Sequence, residues 1–369
     1  MTKNPSNLEG LLYISLNQDQ TCIVVGTEKG FKVYDSIPFK LRYQRSKYNN
    51  IKFIYILVLG GGIGIIEMMY KTNIFGLVGG GQNPKYTPNK VILWDDYQTK
   101  VLFEFKLTSS VKNLKLKKDK IIIVCEQRIY VYNTDKYKLI ETIETYKNEI
   151  GALGINTDEN FTVMGFPVNP EGFIRVKFYE KSQEVDINAH DSIINCISIN
   201  SDGTLVSTAS NKGQIIRIFC ISNGQFIEEF RRGKEKANIT CIAFDEYSSW
   251  MGVCSERGVV HIFSMGNAWK TIKDKGEERT KVPKNEEELP KNDTSFLRKL
   301  PNFLTGGIFD GDKSFAKVRI EQQNAICAIF PDYNIIVISS SGKYYQAQLD
   351  PKKGGTCQII KTEDLNKKS

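Results

Sequence analysis

The chain of 369 residues is 41% hydrophobic and 25% charged, which is the composition of an ordinary soluble protein with a substantial core. Its longest apolar stretch, IYILVLGGGIGII (54–66), is diluted by glycine and shorter than the roughly 20 residues that cross a bilayer. The net charge of +8 permits attraction to a membrane surface or to nucleic acid and decides between neither.

The first residues, MTKNPSNLEG, lack the apolar core of a signal peptide, so we expect a soluble intracellular protein. The eight cysteines form no CxxC pair, and most lie in apolar runs such as IIIVCEQ. This pattern predicts small buried thiols in a reducing compartment. With only two histidines and no Cys/His cluster, we expect no metal site and no cofactor.

Along the chain, one unit repeats: a polar turn is followed by an alternating apolar strand that ends near an aromatic residue. Six copies are TEKGFKVYD (27–35), NKVILWDD (89–96), EQRIYVYNT (126–134), EGFIRVKFYE (171–180), NKGQIIRIFC (211–220) and ERGVVHIFS (256–264). Their aromatic positions mostly recur at about 40 to 46 residues, the length of a β-propeller blade. A seventh unit is NIIVISSSGKYYQAQLD (334–350).

No segment shows a sustained apolar stripe of helical period, so we expect few helices. We predict an all-β chain in which residues 1–369 form a single seven-bladed β-propeller of the WD40 type. The alternative is a pair of β-sandwiches whose periodicity is accidental.

A long gap follows the sixth unit, and we predict that residues 264–320 contain a long loop of the sixth blade. Its first part, KTIKDKGEERTKVPKNEEELPKNDT (270–294), is charged and predicted to be disordered. Its second part, SFLRKLPNFLTGGIF (295–309), turns apolar. Long loops on a regular scaffold are either functional or merely tolerated.

Two glycine-rich stretches, GGGIG (60–64) and GGGQNPKY (79–86), lack the spacing and the following helix of nucleotide-binding loops. We interpret them as turns between strands. Neither His190 nor His261 has a catalytic partner in its sequence context, and no acidic pair is recognisable. The chain is therefore not expected to be an enzyme.

The stretch FIEEFRRGKEK (226–236) ends a strand with two adjacent arginines, Arg231 and Arg232. Successive side chains of a strand point to opposite faces, so the pair either addresses two neighbouring inter-blade clefts or forms ordinary surface charge. A guanidinium matches phosphate oxygens, and Gly233 permits a bend and close approach of a ligand. Polar side chains available to the two clefts are Thr208, Ser210 and Arg217 in one unit, and Ser255 and His261 in the next.

Residues 230–233, FRRG, resemble the hallmark of the PROPPIN family, also called the WIPI family. Three longer stretches are also similar to it: LVGGGQNPKYTPNKVILWDD (77–96), AHDSIINCISINSDGTLVSTASNKGQIIRIF (189–219) and ANITCIAF…GVVHIF (237–263). The first looks most like the branch of the smaller human members. The resemblance covers almost the whole chain. It implies a propeller that binds phosphatidylinositol 3-phosphate and 3,5-bisphosphate at two rim sites and recruits autophagy or lipid-transfer proteins.

The resemblance also implies which side chains bind the lipids. One site would use His190, Thr208, Ser210 and Arg231, and the other would use Arg232, Ser255 and His261, with Gly213, Arg217 and Gly233 in support. The family commonly has threonine at two positions where this chain has Gln214 and Val259. Val259 cannot donate a hydrogen bond, so we expect the second site to be weaker or differently tuned.

The insertion corresponds to the membrane-inserting loop of the family, and its apolar anchors would be Phe296, Leu297, Leu300, Phe303 and Leu304. The alternative is a loop packed back on its own propeller. The implied protein is a monomer in solution, cytoplasmic and peripheral on autophagosomal, endosomal or vacuolar membranes, or on another organelle such as a plastid. The competing function is a WD40-type protein-interaction scaffold without lipid specificity. Nucleic-acid binding rests on the net charge alone and is not expected.

Overall fold

The computed structural model describes residues 10–46, 60–274, 289–292 and 312–365. The chain forms two compact units. The first comprises Met1–Gly151, Ser340–Gly342 and Asp364–Ser369, and the second comprises Ala152–Ser339 and Lys343–Glu363.

The first unit contains three four-stranded antiparallel sheets, each built from strands that follow one another along the chain. Blade 1 consists of β1 (Leu11–Leu16), β2 (Cys22–Thr27), β3 (Gly30–Asp35) and β4 (Lys40–Ser46). Blade 2 consists of β5 (Ile63–Met68), β6 (Ile74–Gly79), β7 (Lys90–Asp95) and β8 (Lys100–Lys106). Blade 3 consists of β9 (Val111–Leu116), β10 (Lys120–Cys125), β11 (Arg128–Asn133) and β12 (Leu139–Glu144).

The second unit holds the remaining four sheets, two of which gain a short fifth strand. Blade 4 consists of β13 (Gly154–Ile155), β14 (Val163–Val168), β15 (Phe173–Phe178) and β16 (Gln183–Asn188). Blade 5 consists of β17 (Ile194–Ile199), β18 (Leu205–Ser210), β19 (Ile215–Cys220), β20 (Phe226–Arg231) and β24 (Asp312–Lys313). Blade 6 consists of β21 (Ile239–Phe244), β22 (Trp250–Ser255), β23 (Val259–Ser264), β25 (Ala316–Arg319) and β29 (Gly355–Thr356). Blade 7 consists of β26 (Ala325–Ile329), β27 (Asn334–Ser339), β28 (Lys343–Gln348) and β30 (Gln358–Asp364).

Burial changes systematically across each blade. In blades 1, 3, 4, 5 and 6 every residue of the second strand is buried, as in KIIIVC of β10. The fourth strands of blades 2, 3 and 4 are largely exposed. A strand that is covered on both faces has a continuous run of apolar residues in its sequence, whereas a strand with one solvated face carries polar side chains on that face.

These seven sheets confirm the predicted all-β fold, a seven-bladed β-propeller. The six repeat aromatics all lie in the third strand of their blades, Tyr34 in β3 and Phe263 in β23 being the first and last. The predicted turn interpretation of the glycine-rich stretches agrees with most of their positions, although Gly64 lies in β5 and Gly79 ends β6. Gly60–Gly62 precede β5, and residues 80–89 connect β6 to β7.

The start of the insertion differs from the sequence prediction, because residues 270–274 are not irregular. They belong to α1 (Gly266–Asp274), which buries Trp269 and Ile272 against the core shared by blades 5 and 6. The indole Nε1 of Trp269 donates to the Ser248 carbonyl at 2.6 Å. Asn292, near the end of the charged stretch, is buried and its amide exchanges two 2.8 Å hydrogen bonds with the Ser264 backbone.

The apolar stretch 295–309 and its five predicted membrane anchors lie outside the described residues. Among the residues that are described, no helix has both the length and the apolar character that crossing a membrane requires. All eight cysteines are free thiols, and six of them are buried.

Candidate anion-binding clefts

The strand register of blade 5 determines which way its two arginines point. Arg231 lies opposite Ile215 of β19, and Arg217, two residues further along β19, lies opposite Thr208 of β18. Directly opposed residues of neighbouring strands share a face. Arg231, Arg217 and Thr208 therefore face the same side of blade 5.

That side is the one that packs on blade 4. Val206 and Phe219, which alternate in phase with Thr208 and Arg217, belong to a core cluster shared with Val163 and Ile174 of blade 4. Phe230, between Glu229 and Arg231, belongs instead to the cluster shared with blade 6. The two arginines thus face different clefts, Arg231 the cleft between blades 4 and 5 and Arg232 the cleft between blades 5 and 6.

In the first cleft, a buried histidine contacts a threonine, and an arginine binds the backbone of the preceding residue. Nε2 of His190 lies 3.0 Å from Oγ1 of Thr208, and both residues are buried. The Arg217 guanidinium donates to the Ala189 carbonyl and to Glu229 Oε2, each at 2.9 Å. Burial, and then the positive charge of Arg217, lower the pKa of His190 to about 4, so the ring is neutral near pH 7.

The two other predicted residues of this cleft lie near His190 and Thr208 but form no described hydrogen bond with the histidine ring. Ser210 is buried on β18, two residues beyond Thr208 and on the same face. Arg231 is half-buried at the end of β20 and pairs across the sheet with Lys313 of β24.

In the second cleft, Arg232 is only 7% exposed and its guanidinium is fixed by backbone carbonyls. Nε donates to Gly213 at 2.9 Å, and Nη2 donates to Glu235. Burial lowers the pKa of Arg232, with a further contribution from Arg257. The carbonyl oxygens orient the guanidinium but carry no charge that would neutralise it; the more distant charges of Glu235 and Glu256 act on it through space.

The histidine of the second cleft is also buried and uncharged. Nδ1 of His261 lies 3.0 Å from Oγ of Ser314, which is itself buried. Burial, followed by the charges of Lys317, Arg232 and Arg319, lowers the pKa of His261 to about 3. Ser255 is 3% exposed, and its Oγ has no hydrogen-bond partner among the described residues.

The two predicted supporting glycines differ in what the fold demands of them. Gly213 has a φ of +55°, and a Cβ there would lie 1.8 Å from the Ala237 carbonyl oxygen. At Gly233 a Cβ would meet nothing within 4 Å, and its φ is not positive. The fold requires glycine at 213 but not at 233.

The two departures from the family pattern also have different surroundings. Gln214 donates from Nε2 to the Lys234 carbonyl, in the turn that follows the arginine pair. Val259 begins β23 opposite Arg319 and offers no polar group.

Sequence reasoning missed three side chains of these clefts: Glu229, Ser314 and Lys317. Glu229 alternates in phase with Arg231, so the strand pattern could have indicated it. Ser314 is 53 residues from His261 and lies beyond the insertion. No local periodicity links such distant positions. Among the described side chains, no group of three His, Cys, Asp or Glu could hold a metal ion.

Comparison with known proteins gives a consistent assignment. A family model described as PROPPIN matches residues 10–366. Autophagy-related protein 18e of Arabidopsis thaliana is 30% identical over 357 residues, covering 96% of this chain and 87% of that relative. The solved structure of Kluyveromyces lactis Hsv2 with complete loop 6CD has a TM-score of 0.73 at 19% identity, covering 97% of this chain and 99% of that one. KlAtg21, solved with the coiled-coil of AgAtg16, has a TM-score of 0.70 at 21% identity, covering 97% of this chain and all of that one. At these identities the solved structures show the shared fold alone.

Proposed function

The chain belongs to the PROPPIN family, and from that membership we propose that it is a non-catalytic peripheral membrane protein that binds 3-phosphorylated inositol lipids. Its two binding sites are the cleft between blades 4 and 5 and the cleft between blades 5 and 6. Phosphatidylinositol 3-phosphate and 3,5-bisphosphate are the proposed ligands.

The observation that carries this proposal is the division of the arginine pair between two clefts, each of which holds a buried neutral histidine and buried hydroxyl groups. A phosphate monoester offers oxygens that accept hydrogen bonds from a guanidinium, a hydroxyl and an imidazole N–H. Solvated surface charge would need neither the histidines nor the buried hydroxyls.

Ser255 supports the second cleft independently. A buried hydroxyl without a partner costs about 1–3 kcal/mol, because it has left water without gaining a hydrogen bond. A phosphate oxygen in the cleft would supply that bond. The fold thus holds a donor in place before the ligand arrives.

Membrane attachment in this proposal combines three weak contacts. Two headgroups and the apolar segment 295–309, with Phe296 and Phe303 among its anchors, would act on one surface, so each contact raises the effective concentration of the others. Complete burial of one large apolar side chain contributes roughly 1.5–3 kcal/mol, and partial insertion contributes less.

We propose autophagy proteins, including lipid-transfer proteins, as the partners that the bound propeller recruits to autophagosomal, endosomal or related membranes. The name of the Arabidopsis relative and the solved complex of KlAtg21 with the coiled-coil of AgAtg16 support this class of partner. A protein scaffold without lipid specificity is the competing function.

Liposome flotation tests the proposal. Vesicles of matched total charge would carry phosphatidylinositol, its 3-phosphate, its 4-phosphate or its 3,5-bisphosphate. We expect the wild type to float with the 3-phosphorylated lipids and the Arg231→Thr, Arg232→Thr double variant to remain unbound. A control variant, Arg42→Thr with Arg128→Thr, removes two guanidinium groups from blades 1 and 3 and should float normally.

The two functions predict different results. Flotation that is the same for all four lipids, or no flotation at all, would contradict the lipid proposal and favour the scaffold. A double variant that binds like the control would contradict the assignment of the two clefts as the lipid sites. Each single variant should bind with reduced affinity, because the other cleft is left intact.

A further inference from the structure

The polypeptide that returns from the blade-6 insertion runs between the two clefts. Asp312–Lys313 adds a parallel strand to the edge of blade 5, with Lys313 opposite Arg231. The next residue, Ser314, reaches His261, and the chain then enters β25 of blade 6. Residues 313–317 therefore connect the arginine of one cleft with the histidine of the other.

The register of blade 6 shows which way Lys317 points. Lys317 lies directly opposite His261, so the two side chains share a face. The other face of these strands carries Val260 and Ala316, which belong to the core shared with blade 7. His261 and Lys317 therefore face blade 5, on the side from which Arg232 enters the cleft.

Lys317 carries a charge that the described carboxylates do not neutralise. It is half-buried, and no described Asp or Glu lies within ion-pair distance of its ammonium group. The same holds for Arg232, whereas Arg217 in the first cleft is paired with Glu229. The second cleft thus holds two cations that have no ion-pair partner among the described residues, in addition to the Ser255 hydroxyl, which has no hydrogen-bond partner among them.

Ser314 determines which nitrogen of His261 is available to a ligand. When its hydroxyl donates to Nδ1, the neutral ring carries its proton on Nε2. Nε2 has no hydrogen-bond partner among the described residues and is then a donor. In the first cleft the arrangement is reversed, because Thr208 contacts Nε2 of His190.

We propose that Ser314 and Lys317, from the return strand of the insertion, complete the second cleft as a phosphate site, with Lys317 binding a phosphate oxygen and Ser314 positioning His261 as an Nε2–H donor. This inference rests on the proposed function above. In this arrangement Lys317 supplies the polar contact that Val259 does not provide at the start of β23.

Calorimetry with inositol 1,3-bisphosphate, the soluble headgroup of phosphatidylinositol 3-phosphate, tests the role of Lys317. We expect the Arg231→Thr variant to retain the second cleft alone, and Lys317→Ala to weaken binding in that background about tenfold, the loss of one charge-assisted hydrogen bond. In the Arg232→Thr background, where only the first cleft remains, Lys317→Ala should change the affinity by less than about twofold. Lys100→Ala on blade 2 removes the same charge elsewhere and should have no effect in either background.

The role of Ser314 has a separate readout, because the chain contains only two histidines. In ¹⁵N NMR of imidazole-labelled protein, we expect one ring in the Nε2–H form, assigned to His261 by its loss in His261→Asn. Ser314→Ala should shift that ring toward a mixture of tautomers and weaken headgroup binding in the Arg231→Thr background. Ser314→Thr should restore both properties.

The outcomes separate this inference from the function on which it rests. Wild-type protein that binds no headgroup would overturn both. Normal binding by the wild type, with Lys317→Ala equally harmless in the two backgrounds, would overturn the role of the return strand and leave the proposed function standing. An Nδ1–H form of His261 would overturn the positioning role of Ser314.

Discussion

The variant Gly233→Ala tests whether glycine at this position is required for stability or for ligand binding. Residue 233 follows Arg232, and a methyl group added there would meet no described atom within 4 Å outside its two chain neighbours. Its φ is not positive, so alanine adopts the backbone conformation without strain. Replacing glycine at such a position stabilises a protein by about 0.4–1 kcal/mol, because the unfolded chain loses freedom. We therefore expect an unchanged or slightly raised melting temperature.

Headgroup binding should respond in the opposite direction. Residue 233 directly follows Arg232, so under the proposed function a methyl group there would occupy open space at the mouth of the second cleft, where a phosphate would approach. Overpacking of this kind costs about 1–3 kcal/mol, which corresponds to a loss of affinity of about fivefold to a hundredfold. Calorimetry with inositol 1,3-bisphosphate and a thermal melt on the same sample measure both quantities.

Gly213→Ala is the matched control, because there the fold itself needs glycine. The added Cβ would lie 1.8 Å from the Ala237 carbonyl at a φ of +55°. Left-handed strain alone costs roughly 1–2 kcal/mol, and the backbone must also move. We expect a melting temperature several degrees lower. A Gly233→Ala protein that is stable and binds the headgroup like the wild type would refute the reasoning that this glycine serves a ligand.

Two further predictions concern acidity and the membrane. The folded pKa values of about 4 for His190 and about 3 for His261 lie below the ordinary value of 6.5, so the unfolded chain takes up protons first as the pH falls below 6.5. The free energy of unfolding should therefore drop by about 2 kcal/mol per histidine between pH 7 and pH 5. Thermal melts at the two pH values should show a smaller loss of stability for His261→Asn than for the wild type. Equal losses in the two proteins would contradict the lowered pKa of His261. Replacing Phe296 and Phe303 with aspartate should shorten residence on vesicles in flotation and leave headgroup calorimetry unchanged; a parallel loss of both would indicate misfolding.

The repeats were accessible from sequence because each blade satisfies the same local requirement. A third strand such as KVILWD needs alternating or continuous apolar residues and an aromatic near its end, and this pattern survives in six copies. The opposite directions of Arg231 and Arg232 follow from the two-residue period of any strand. Local sequence pattern was therefore sufficient to predict both the fold and the opposite directions of the two arginines.

The features that escaped prediction depend on contacts between distant parts of the chain. Helix α1 is only nine residues long, and the charged residues on its exposed side obscure the pattern of its three buried residues, Ala268, Trp269 and Ile272. Ser314 meets His261 only because residues 312–317, after the insertion, return to blades 5 and 6. The buried residues of α1 have helical spacing over only two turns, which is too short a stripe to stand out beside the charged stretch that follows. The contact between Ser314 and His261 leaves no periodic trace at all.

One sheet separates the two proposed pockets, since both arginines belong to the same strand end of blade 5. Layers of packed sheets lie about 10 Å apart, so the two bound headgroups would come from lipids close together in one leaflet. A membrane with sparse 3-phosphoinositides would fill one pocket, whereas a dense patch would fill both. Occupancy of the doubly bound state would rise with the square of surface density at low coverage, so the propeller would respond to the clustering of its lipid more than to the total amount.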